Sequence, residues 1–117
     1  MNISTEEYYQ EINSVMDEVS ELFLSKNKNY NPGSDPLLNF RRGGMVRHAN
    51  NDYFGCYEAL KDYVTKHIVN AMNKDITAPD LAESTRDIAV YMIIATAMKR
   101  LWEKEHGDQD SLQDSGT

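Results

Sequence analysis

Apolar residues return every three or four positions through three stretches of the chain, and each stretch predicts a helix. The longest and most apolar runs from about Thr77 to His106. At 100° per residue, its apolar positions from Ile88 through Trp102 cover most of the circumference, so neighbours are expected on several sides. One line along this central helix, Leu101, Ala97, Ile94 and Val90, continues into Asp87 and Glu83. Two carboxylates at i, i+4 extending an apolar stripe need a reason. Unpaired burial costs on the order of several kcal/mol, so a cation, a hydrogen-bond network or a metal is expected beside them.

The first helix is predicted over about residues 5–25. Ser4 and Glu7 make a capping-box pattern at its start. Tyr8, Ile12, Val15, Val19 and Leu22 form its stripe, flanked by Tyr9, Met16 and Phe23, while Glu6, Glu11, Asp17 and Glu18 read as a solvated acidic face. The next helix is predicted over 52–73, capped by Asn51 or Asp52, with Tyr53, Tyr57, Leu60, Val64, Ile68 and Ala71 as its stripe. Glu58 and Asp62 repeat the i, i+4 carboxylate spacing there. His67 reads as a boundary histidine, with no second histidine at helical spacing.

A short link over Lys74 to Ile76 makes the last two helices, 52–73 and 77–106, an antiparallel hairpin. Asp62 and Asp87 then lie about eleven residues either side of the turn, each ~16 Å from it, with Glu58 and Glu83 a turn away. Four carboxylates are expected to converge, and hard oxygen donors of this kind suit Mg²⁺ or Mn²⁺.

The pattern stops over 26–51, KNKNYNPGSDPLLNFRRGGMVRHANN, which is read as a long, partly ordered loop with room for one helical turn at Leu37 to Arg41. Lys26, Lys28, Arg41, Arg42 and Arg47 concentrate bases in an otherwise acidic chain. They read equally as an anion site or as salt bridges to the acidic helices.

Composition narrows the class. A chain of 117 residues suits one all-α domain over 1–106, followed by a disordered acidic tail over 107–117. A net charge of −7 disfavours duplex nucleic acid. Cys56 is the only cysteine, which fits a reducing compartment. The first residues lack a signal-peptide pattern, and the apolar run from Ile88 to Met98 is too short to cross ~30 Å of hydrocarbon. A cytoplasmic protein with no membrane partner is expected. Three helices with broad apolar faces are more than one short antiparallel bundle covers alone, so completion by a homodimer is expected.

The acidic first helix, the segment Lys26 to Tyr30 (K-N-x-x-Y), Asp35 to Arg41 (D-P-L-L-N-F-R), the helix carrying Asp62, and Glu83 to Tyr91 (E-S-T-R-D-I-A-V-Y) together resemble the MazG-like all-α nucleotide pyrophosphohydrolase superfamily. The nearest branch is the phage-type nucleotide-modification-associated domain, and the resemblance covers about residues 5–102. It implies a Mg²⁺- or Mn²⁺-dependent hydrolysis of a nucleoside triphosphate to monophosphate and pyrophosphate, in the host cytoplasm if the protein is phage-encoded. Carried onto this chain, it makes Asp62, Glu83 and Asp87 metal ligands. Glu58 would orient the attacking water. Asn39 and Arg41 fall near the nucleotide, with Lys26, Tyr30 and Lys66 as contacts to phosphates or base. The acidic motif is thinner than the family's E-E-x-x-E and ExxD, having only Glu58-x-x-x-Asp62 and Glu83-x-x-x-Asp87. Two other readings therefore stand beside it. One is a non-enzymatic phage-type interaction or inhibitor protein, or a nucleotide-binding bundle without hydrolysis, whose acidic helical surface meets a protein partner. The other is a plain salt-bridge network using Arg86 and Lys61.

Overall fold

The structure is a computed structural model; it describes residues 1–30, 33 and 35–107, with backbone alone for 29 and 30. The described residues form four α-helices and no strand: α1 (Thr5–Tyr30), α2 (Leu38–His48), α3 (Tyr53–Met72) and α4 (Leu81–Glu105). The tail from residue 108 onward lies outside the described residues. Among those described, no helix is long and apolar enough to cross a membrane.

The expected helices 5–25, 52–73 and 77–106 correspond to α1, α3 and α4, and the departure is in the expected loop. α1 continues through Lys26 to Tyr30, and a full helix replaces the single turn expected at Leu37 to Arg41. The start of α2 is organised by Asp35, whose carboxylate accepts from the Leu37 N–H at 3.0 Å and whose carbonyl accepts from the Leu38 N–H at 3.3 Å. Its end is Ala49, in the left-handed region at φ 54°, with N–H groups of Ala49 and Asn50 donating to the carbonyls of Met45 and Gly44. Between these ends, α2 buries only Phe40 and Gly44. Gly44 lies against the start of α3, where a Cβ would stand 2.6 Å from the Gly55 carbonyl oxygen and also overlap the Asn50 carbonyl. Only a residue without a side chain fits that crossing.

Asp52 caps α3, accepting from the N–H groups of Phe54 at 2.9 Å and Gly55 at 3.1 Å. The α3–α4 hairpin is antiparallel, as its contacts show: Phe54 meets Trp102, His67 meets Asp87, and Asn70 meets Ser84. The core lies where α2, α3 and α4 join, built from Phe40, Cys56, Ala59, Leu60, Val64 and Met98. α1 packs chiefly on α4. It buries Val19 and half-buries Leu22 and Phe23, while every residue from 1 to 18 is exposed.

Candidate functional site

Asp87 is the one buried carboxylate among the described residues, 7% exposed on the face of α4 that also buries Val90 and Ser84. Of the three kinds of partner expected, a cation is present. Lys26 Nζ, from the last turns of α1, donates to Asp87 Oδ1 at 2.6 Å. His67 of α3 brings Nδ1 to 3.7 Å from Asp87 Oδ2, and its ring packs on Tyr91 with centroids 5.6 Å apart. Three helices thus meet at one carboxylate. The charge of the His67 contact depends on whether the imidazole is protonated.

Two cavities flank this point. The larger, of about 580 Å³, is apolar and aromatic, walled by Phe23, Leu37, Phe40, Tyr63 and Tyr91, with Asn27 and Asn39 at hand. The smaller, of about 410 Å³, lies between α1 and α4 and is lined by Glu18, Glu21, Glu83, Arg86 and Asp87. Lys26 and Asp87 line both. A planar apolar group and a charged one, joined by a short linkage, find complementary surroundings on the two sides of the Lys26–Asp87 pair.

The predicted residues are distributed as follows. Glu83, Asp87 and Lys26 come together at the smaller cavity, and Asn39 lines the larger with Asp87. The register of the hairpin sets His67 against Asp87, and Asp62 is engaged on the α2 side, 2.7 Å from His48 Nε2 and 3.8 Å from an Arg47 nitrogen. Glu58 accepts from Lys61 at 2.8 Å, and this bond holds the Lys61 ammonium above the usual lysine range. Arg41 is bound to the Asp35 carboxylate at 2.9 Å and donates to the Asn51 carbonyl at 2.8 Å. Lys66 is exposed on α3. Tyr30 ends α1, and its side chain lies outside the described residues. Of the loop bases, Arg41, Arg47 and Lys26 therefore make ion pairs.

Glu18, expected on the solvated acidic face of α1, is exposed, and Glu21, which the sequence pattern did not single out, is exposed beside it; both line the smaller cavity. The spacing marks them: both flank Val19 and Leu22, where the α1 stripe meets the rest of the protein. Glu18 accepts from an Arg86 guanidinium nitrogen at 3.1 Å, which ties the two helices a few residues from the Lys26–Asp87 pair.

Carboxylates Glu18, Glu21, Glu83 and Asp87 around one cavity are hard oxygen donors of the class that Mg²⁺ or Mn²⁺ takes. With Lys26 and Arg86 drawn onto Asp87 and Glu18, no three of His, Cys, Asp and Glu among the described residues are gathered at metal-binding distance. Comparison with family models, curated proteins and solved structures gives no match.

Proposed function

We propose that the chain is a nucleotide pyrophosphohydrolase of the MazG-like kind, acting on a nucleoside triphosphate at the two cavities joined by Lys26 and Asp87. The observation that carries the reading is that this one ion pair lines both an aromatic cavity and an acidic one. A base suits the aromatic cavity, against Phe40, Tyr63 and Tyr91, with Asn39 near its edge. Phosphates extending toward α1 meet Lys26, a point charge on a flexible stem. Nucleotide and a second copy of the chain are the partners this reading calls for, and the cytoplasm is its setting.

Glu18, Glu21 and Asp87 would hold Mg²⁺ or Mn²⁺, and such an ion supplies neutralisation of phosphate charge when bound. Lys26 exchanges the Asp87 carboxylate for a phosphate oxygen and offsets charge that grows on the leaving pyrophosphate. Glu83 is exposed at the cavity mouth and makes no ion pair among the described residues, so it is the carboxylate placed to orient a water and take its proton. Water oxygen bonds to the α-phosphorus, the bond to the bridging oxygen breaks, and pyrophosphate leaves. In this reading Asp62 and Glu58 serve the surface of α3, through their pairs with His48, Arg47 and Lys61.

The test is product analysis with Mg²⁺ or Mn²⁺ and a panel of ribo- and deoxyribonucleoside triphosphates. Monophosphate and pyrophosphate in equal amounts, reduced by about a hundredfold or more in Glu83→Gln, is the expected result. Activity unchanged in both Glu83→Gln and Asp87→Asn contradicts the site.

A further inference from the structure

Another cavity lies at the far end of the α3–α4 hairpin, between the first turns of α3 and the last turns of α4. It holds about 610 Å³ and shares only Met98 with the aromatic cavity beside Lys26. Met98 is buried and forms its floor, and its walls are rings. Phe54 and Tyr57 of α3 are 63% and 47% exposed, and Trp102 of α4 meets Phe54 edge to face with centroids 6.1 Å apart. Lys99 Nζ, 4.5 Å from the indole centroid, and the His106 ring, stacked on the indole at 4.5 Å, hold Trp102 in place. Rings assembled in advance around a concavity, with few polar groups, make a small-molecule site, and the volume falls within the ~300–1,000 Å³ of such sites.

Charge selects the occupant. In a chain of net charge −7, this cavity is lined by two cations, Lys99 and Arg100, against one acid, Glu103. Arg100 makes no ion pair among the described residues. Lys99 meets Glu103 only at 3.5 Å, in an exposed pair of the kind that holds weakly. We infer that the cavity binds a planar aromatic carboxylate. Its fused rings enter against Phe54, Tyr57 and Met98, and its carboxylate takes the Arg100 fork with the Lys99 ammonium beside it.

A nucleotide fits this cavity less well. Its sugar needs hydroxyl partners, and the hydroxyls at hand are engaged: Thr96 Oγ1 donates to the Met92 carbonyl at 2.9 Å, and the Tyr53 hydroxyl donates to Glu105 Oε1 at 3.5 Å. None of Glu18, Lys26, Glu83 or Asp87 lines the cavity, so the site stands apart from the hydrolysis reading.

Trp102 is the only tryptophan of the chain, so its indole N–H gives a single cross-peak in a nitrogen–proton correlation spectrum, and that peak reports this cavity. Naphthoate titrated into the full chain, without nucleotide or metal, should move the peak saturably at concentrations below about a millimolar. Read at the same peak, naphthylmethanol, which has the rings without the charge, should bind about tenfold more weakly or worse, and so should adenosine monophosphate. Arg100→Gln and Tyr57→Ala should each weaken naphthoate about tenfold. Both side chains are exposed, so the variants should keep a cooperative melt. A peak that does not move, naphthylmethanol or adenosine monophosphate binding as tightly as naphthoate, or affinity indifferent to Arg100→Gln or to Tyr57→Ala overturns the inference. Turnover of a nucleoside triphosphate, present or absent, bears on none of these results.

Discussion

Removing either partner of the Lys26–Asp87 pair destabilises the protein, and the two removals are unequal. The ions are 2.6 Å apart, with the Asp87 side chain 9% exposed and that of Lys26 35% exposed. Two unit charges at ~4 Å attract by about 4 kcal/mol at an effective dielectric of ~20. Desolvation of Asp87 and solvent around Lys26 offset much of that. Exposed pairs measure about 0.2–1 kcal/mol, and breaking a buried pair loses about 3–5, so a coupling of about 1–2 kcal/mol is expected here. Lys26→Met leaves the buried carboxylate without its ammonium and should lose about 2–3 kcal/mol. Asp87→Asn leaves Lys26 free to turn to water and should lose about 1–1.5 kcal/mol. At ~2.1 cal/mol/K per residue of unfolding entropy, 1 kcal/mol is about 4 °C in Tm for this chain. Lys26→Met should therefore melt ~8–12 °C lower, and Asp87→Asn ~4–6 °C lower. Urea unfolding of wild type, both single variants and the double variant closes the cycle. A coupling below about 0.3 kcal/mol, or Asp87→Asn as the more damaging change, refutes the reasoning.

Gly44→Ala forces the α2–α3 crossing apart, since the new methyl overlaps backbone at Gly55 and Asn50; a loss of about 2–3 kcal/mol in urea unfolding is expected, and a neutral change contradicts it. Ala49→Gly acts oppositely, removing left-handed strain at φ 54° to raise Tm by about 2–4 °C in a melting scan. Burial pushes the Cys56 thiol up and leaves the residue 0% exposed, so a disulfide reagent at pH 7.5 should label it at under about a thousandth of the unfolded rate. The Lys74 ammonium, 2.8 Å from Asp80, holds that carboxyl below its usual range. A lowered folded pKa gives stability that is present above the unfolded value of ~3.9 and lost as pH falls through the folded one; the small deficit of Asp80→Asn at pH 7 should vanish in acid.

Three of the helices were legible because each carries a stripe of side chains at helical spacing. α2 was not, for a physical reason. Its sequence, LNFRRGGMVRH, has two glycines and follows two prolines, and its close contact is made by glycine backbone, where a hydrophobic pattern has nothing to register. The buried position of Asp87 was legible, since it continues the line of Val90, Ile94, Ala97 and Leu101. Its neighbours were not. Lys26 reaches it because α1 outruns the segment predicted as helix, and His67 because the link after α3 runs to Leu81. Partnership between α1 and α4 depends on how α1 crosses the hairpin, which no local spacing encodes.

The most direct measurement is chromatography of the products formed from a triphosphate panel by wild type, Glu83→Gln and Asp87→Asn, with and without Mg²⁺. Metal-dependent release of monophosphate and pyrophosphate, lost in both variants while their melts remain cooperative, is the predicted result. No turnover of any nucleotide by a folded, metal-supplied wild type contradicts the enzyme reading.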